Sequence, residues 1–254
     1  MGGVELAEMY DRVVWTLVGL GAFVAILLCF ISAPYGRHTR GGWGPTVSAR
    51  LAWIIKETPT VFAFTFGFWG GAQMQYAVPK LLAGMYLLHY VYRSWIYPFR
   101  LRTQKRTPWL VVFLGVSFVT ANGWVNAVWI GHLGDYADLT LTHPRVLAGS
   151  GVFLLGYLLN QHSDATLRNL RAGSSGDYAI PRGGGFRWVS SPGYLGEIIE
   201  WIGFAIVAGS TAAWAFVFFT AANLVPRART HHLWYRETFS DYPAERKVLL
   251  PFVW

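Results

Sequence analysis

The stretch YLGEIIEWIGFAIVAG (residues 194–209) ends like a bilayer-spanning helix, yet it begins with two carboxylates, Glu197 and Glu200. Residues three apart share one face of a helix. An ionised carboxylate at the edge of hydrocarbon must be paired, hydrogen-bonded or turned toward water. Two explanations are open: a structural pair with Arg or His from the C-terminal tail, or a cavity whose ligand brings hydroxyl and amide donors.

The rest of the chain has the same apolar character. Its 254 residues are 54% hydrophobic and 17% aromatic but only 13% charged, with mean hydropathy +0.34. Soluble domains carry roughly 25% charged residues, so the composition is that of an all-α integral membrane protein. Apolar runs near residues 13–32, 59–77, 80–99, 109–132, 144–161, 194–210 and 211–226 are long enough for the roughly 30 Å of hydrocarbon. This predicts seven transmembrane helices in one polytopic domain, 1–254. The start, MGGVELAEMYDR, lacks the basic flank of a cleavable signal, so residues 13–32 are expected to remain as the first span.

The basic residues test the count. Arg37, Arg40, Arg50 and Lys56 precede span two; Arg100, Arg102, Lys105 and Arg106 follow span three; Arg168, Arg171, Arg182 and Arg187 follow span five. Five more cations follow span seven, whereas the intervening segments hold Arg12, Lys80 and Arg145. The alternation follows the positive-inside rule and predicts an outside N-terminus and a cytosolic C-terminus. It also explains the +8 net charge without nucleic acid. The single cysteine, Cys29, offers neither an intrachain disulfide nor a metal cluster.

Polar residues gather on the basic side. In NQHSDATLRNLR (160–171), Asn160, Asp164, Arg168 and Arg171 fall within about 80° of one another at 100° per residue. Arg227, His231 and Tyr235 are spaced i, i+4, i+8 and share a face. Arginines beside hydroxyl-accepting carboxylates suit a ligand with phosphates and riboses, as in a dinucleotide. No GxGxxG follows a strand, so a Rossmann grip is not expected. Glu57 reads as a carboxylate just ahead of a helix starting at Pro59, where it would complement the dipole; Tyr90 reads as a buried aromatic, and Arg93 lies one turn beyond it.

Taken together, YGRHT (35–39), KETP (56–59), LHY (88–90), ANG (121–123), NQHSDATLRNLR, DYAIPRGG (177–184), GEIIEWIG (196–203), RTHHLWY (229–235) and DYPAERKVLLPF (241–252) resemble the steroid 5-alpha-reductases over nearly the whole chain. Residues 104–254 match the part shared with polyprenol and enoyl-CoA reductases. The resemblance implies an NADPH-dependent membrane enzyme that reduces the 4-ene of a 3-oxo steroid. It implies cofactor contacts at Asn160, Asp164, Arg171, Tyr178, Glu197, Arg227, His231 and Tyr235, with Tyr35 and Arg106 toward the phosphates. It also implies that Glu57, as a neutral acid, and Tyr90 hold the 3-oxo group.

Departures are Lys56 for glutamine beside the glutamate, Tyr92 for histidine, Gly193 for asparagine and Ala179 for arginine. The expected partners are membrane lipid and a lipophilic steroid or enone, bound by a monomer whose cofactor site faces the cytosol. Another lipophilic enone or a polyprenoid is the alternative substrate. The competing classes are a membrane methyltransferase of the isoprenylcysteine type and a transporter.

Overall fold

The computed structural model describes residues 3–101, 103–172 and 178–254; the side chains of Arg171 and Ala172, and Arg102 and Asp177 altogether, lie outside the described residues. The chain is helical almost throughout. Helix α1 spans Gly3–Phe30, α2 Ala49–Phe68 and α3 Ala77–Val91; α3 continues through a π turn at Tyr92–Ile96 into the short α4, Tyr97–Arg100. Then come α5 (Trp109–Val128, with a π turn to Leu133), α6 (Pro144–Ala172), α7 (Pro192–Ala208) and α8 (Thr211–Thr238). Two short strands, β1 (Thr46–Ser48) and β2 (Arg106–Pro108), pair antiparallel just ahead of α2 and α5.

Among the described residues, two helices, Val4–Phe30 and Trp109–Leu133, are long and apolar enough to cross a membrane by length and composition. The outer surface has the polarity expected for lipid. Leu147, Leu154, Leu155 and Leu158 form an exposed stripe on α6, and Phe62, Phe66, Phe113 and Phe218 are exposed elsewhere. Meanwhile Glu57, His89, Asn122, Asn126, Asn160 and Glu200 are buried. A widely apolar exterior around a core that also buries these polar groups departs from the pattern of a water-soluble bundle.

Helix boundaries depart from the hydropathy reading: α1, α6 and α8 extend past their apolar runs, whereas α2 stops at Phe68, short of the expected residue 77. Helix α1 starts ten residues before the expected span, and α6 continues past residue 161, the end of the expected fifth span, to Ala172. Helix α2 begins not at Pro59 but at Ala49, where the Ser48 side chain accepts from Leu51 N. Proline is tolerated inside a helix when the lost bond is absorbed locally, and here Pro59 sits mid-helix. Glu57 is therefore a mid-helix residue, and the dipole role read from sequence is wrong. Helix α8 likewise runs through Pro226, which puts the expected Arg227–His231–Tyr235 face on one continuous helix.

Packing brings α6 and α7 together antiparallel through glycines seven apart, Gly149 and Gly156 on α6 and Gly196 and Gly203 on α7. A Cβ on Gly156 would lie 2.5 Å from Gly196 O, and one on Gly196 would lie 2.6 Å from Asn160 N. Small residues permit this backbone approach, the usual device of helix pairs in lipid. It sets Asn160 and Asp164 opposite Glu197. Behind them, Tyr86, Tyr90, Trp201, Phe204 and Phe216 form an aromatic core.

Candidate active site

A cavity of about 500 Å³ opens inside the bundle, walled by α1, α2, α3, α5, α6, α7, α8 and the segment between α1 and β1. Of the residues singled out from sequence, Glu57, Tyr90, Asn160, Asp164, Tyr178, Glu197, Arg227, His231, Tyr235 and Tyr35 line it. Arg168 and Arg106 do not line it. Arg106 instead bonds Thr46 across the strand pair, Nε to Oγ1 at 2.8 Å and Nη2 to the carbonyl at 2.7 Å.

Arg93 organises the middle of the cavity. The π turn that carries it breaks the regular α3 register, a distortion frequent at functional sites. Its Nη1 donates to Asp164 Oδ2 at 3.2 Å, and Nη2 lies 3.9 Å from Glu197 Oε2. Asn160 Nδ2 donates to Gly193 O at 3.0 Å and to Glu197 Oε2 at 3.4 Å.

The two opening carboxylates thus have different environments. Glu197 faces the cavity, whereas Glu200 is fully buried with its Oε1 2.8 Å from His89 Nδ1. His89 had no role from sequence, and a tail cation was one expected partner of Glu200. The structure supplies His89 on α3 instead, because α7 packs against that helix.

A second group gathers at the α8 end. Arg227 donates to Asn223 Oδ1 at 3.0 Å and to Tyr194 OH at 2.9 Å, with its guanidinium 4.8 Å over the Tyr35 ring. Arg37 donates to Tyr235 OH at 3.2 Å and covers the Tyr235 and Trp234 rings at 4.5 and 4.8 Å. His38 and His231 stack at 5.3 Å. Burial and then Arg37, Arg227 and Arg40 pull His38 down to about 4, and burial with Arg37 and Arg227 holds His231 well below the ordinary histidine range. This cationic pocket has no carboxylate bonded to either arginine among the described residues.

Sequence reasoning passed over Arg37, Tyr194 and Asn223. Arg37 stands inside the YGRHT motif, and Asn223 is one turn before Arg227, so both were within reach of the same spacing rule.

At the opposite end Glu57 and Tyr90 are buried on α2 and α3. Lys56 Nζ lies 2.8 Å from Glu57 Oε1. The expected neutral Glu57 is therefore not the form this arrangement favours, since an ammonium at that distance stabilises the carboxylate.

Arg37 and Arg227 line the cavity at its cationic end, with Arg37 Nη1 lacking a hydrogen-bond partner among the described residues, and suit phosphate. Asn160 also lines it, and its Oδ1 lacks a partner there, an acceptor suited to an amide N–H. Carboxylates between them fit ribose hydroxyls. The residues present fit a nicotinamide dinucleotide.

Comparison with known proteins agrees with the site. The family model described as 3-oxo-5-alpha-steroid 4-dehydrogenase matches residues 105–254. The chain is 38% identical over 256 residues to 3-oxo-5-alpha-steroid 4-dehydrogenase 1 of Bos taurus, covering 98% of this chain and all of the relative. It is 43% identical over 235 residues to a steroid 5-alpha-reductase of Gossypium hirsutum, covering 90% and 91% of the two chains. It is 41% identical over 247 residues to one of Arabidopsis thaliana, covering 94% of each. The chain belongs to the 3-oxo-5-alpha-steroid 4-dehydrogenase family of oxidoreductases, the steroid 5-alpha-reductases.

Proposed function

We propose that the protein uses NADPH to reduce the 4,5 double bond of a 3-oxo-4-ene steroid to the 5-alpha product, from within a membrane that it crosses seven times. The observation that carries this reading is the polarity of one cavity: arginines with no bonded carboxylate among the described residues at one end, carboxylates in the middle, and the buried Glu57 and Tyr90 beside Lys56 at the other. Helix directions are in keeping with seven crossings, since α6 and α7 run antiparallel while Lys56, Thr60 and Gly67 of α2 meet Gly115, Gly123 and Ala127 of α5 in parallel order. The cationic end belongs to the cytosolic side by the charge alternation.

The reduced nicotinamide supplies a hydride to C5. Arg37 and Arg227 would hold phosphate, Asp164 and Glu197 would accept from ribose hydroxyls, and Asn160 would accept from the carboxamide. Arg93 fixes both carboxylates, donating to Asp164 and lying 3.9 Å from Glu197. Tyr90, with Glu57 beside it, would position the 3-oxo group and donate to the oxygen where negative charge develops; a donor placed there stabilises the transition state more than the ground state. C4 then takes a proton from water. Neither a methyl transfer nor transport makes use of a buried pair at a carbonyl.

The test is to mix detergent-purified protein with NADPH and progesterone or testosterone, following nicotinamide absorbance and product mass for wild type and Glu57→Gln. Steroid-dependent oxidation that falls steeply in the variant supports the reading. No oxidation with any steroid, but oxidation with another lipophilic enone or a polyprenoid, moves the substrate class. Binding of S-adenosylmethionine without NADPH binding contradicts the reading altogether.

A further inference from the structure

Lys56 is held in place from three sides. Its stem lies against Gly115 of α5, where a methyl group would overlap Lys56 Cγ and Cδ. Its ammonium sits 3.9 Å over the Trp53 ring and 2.8 Å from Glu57 Oε1. The other side of the site also bears on Trp53, with the Arg93 guanidinium 4.5 Å from that ring. A solvated lysine on a helix extends toward water and is rarely fixed. This one lines the cavity beside Glu57 and Tyr90.

The donor inventory decides what the pair can do. A carboxylate only accepts, so Glu57 in this arrangement has nothing to donate to an oxygen gaining charge. An ammonium has three donors, and Glu57 accepts one of them. We infer that Lys56, fixed by Glu57 and Gly115, is the cation that stabilises negative charge on the substrate's carbonyl oxygen, so this end of the cavity favours lipophilic ligands whose oxygen is or becomes anionic. The inference rests on the reductase reading for its chemistry and on the Lys56 geometry for its site.

In the step, hydride adds at C5 with its electron pair and the C4–C5 pair shifts to C3–C4. The carbonyl pair then moves onto oxygen. Lys56 donates a hydrogen bond to that oxygen and keeps its proton. The enolate collapses by taking a proton from water at C4, so one enone, one reduced nicotinamide and one proton are consumed. Lys56 is a catalytic residue here, and Glu57 positions it.

The experiment titrates detergent-purified wild type and Lys56→Met with a steroid bearing a C3 carboxylate and with its neutral C3 carboxamide. Wild type is expected to prefer the carboxylate by about tenfold or more, the worth of a charge-assisted hydrogen bond. Lys56→Met is expected to lose that preference while its carboxamide and NADPH affinities hold. Turnover of a 4-ene-3-oxo steroid is expected to fall about 100-fold in kcat, as for loss of one oxyanion donor. Gly115→Ala, which displaces the lysine stem, is expected to lower kcat in wild type and to do little in a Lys56→Ala background.

A carboxylate preference that survives in Lys56→Met, or a variant kcat equal to wild type, overturns the inference while leaving the reductase reading intact. Anion preference in a wild type that reduces no enone does the reverse: the anion site stands and the reductase reading falls.

Discussion

Replacing Gly156 by alanine puts the α6–α7 contact under direct test. The added methyl would lie 2.5 Å from Gly196 O and 2.7 Å from Glu200 Cα. Relaxed contacts with carbon lie near 3.5–4.0 Å, so the helices must part by about 1 Å. Neither obstacle is a side chain able to rotate away. Overpacking by one methyl costs roughly 1–3 kcal/mol, and rigid backbone on both sides places this site at the upper end. The same separation moves Asn160 and Asp164 away from Glu197, so nucleotide affinity should fall with stability.

Gly151 on the same helix is the control, since nothing lies within 4 Å of a Cβ built there. Alanine at that position should be neutral or gain up to about 1 kcal/mol of helix propensity. The assay is thermal unfolding in detergent together with NADPH titration. A Gly156→Ala protein as stable as Gly151→Ala, with unchanged NADPH affinity, refutes the close-packed account of the site's scaffold.

Three further outcomes follow from particular contacts. Asp164→Ala removes a cavity carboxylate and the hydrogen-bond partner of Arg93, and should weaken NADPH binding by about tenfold; titration showing unchanged affinity contradicts the assignment. His89→Leu strands the buried Glu200 carboxylate and should destabilise by about 3–5 kcal/mol, with the double variant His89→Leu/Glu200→Leu recovering most of it; purely additive losses in denaturation would show that the pair is not coupled.

Low pH should destabilise the ligand-free protein through His38. The unfolded chain binds that proton near its ordinary 6.5 whereas the folded one waits until about 4, so the folded state binds fewer protons between these values. Stability therefore declines as pH falls through that window and levels off below it. His231 adds the same sign, and His38→Phe should flatten the slope measured by unfolding at several pH values; an unaltered slope contradicts this.

The sequence alone exposed the clustered chemistry better than the helix ends. Helices were located by apolar runs, and the start of α6 at Pro144 coincided with one. The ends of α1, α2, α6 and α8 lie in polar sequence, where hydropathy carries no signal but backbone hydrogen bonding continues. Pro59 reads as a helix start from local rules, and only packing of α2 on α5 keeps it internal.

Site residues on one helix face, Asn160 with Asp164 or Arg227 with His231 and Tyr235, were legible because their spacing is local. The pairings Arg93–Asp164 and His89–Glu200 join residues 71 and 111 positions apart, and spacing cannot reach across elements. Lys56–Glu57 was adjacent in sequence, yet its meaning depended on Gly115, 59 and 58 positions further along.

The most direct measurement of the central claim is isotopic. Detergent-purified protein is given a 4-ene-3-oxo steroid and NADPH carrying deuterium at the transferable C4 position of the nicotinamide. The account predicts a 5-alpha product one mass unit heavier, with the deuterium at C5. A reduced steroid without that label, or one labelled at C4 instead, contradicts hydride delivery from a nicotinamide held in this cavity.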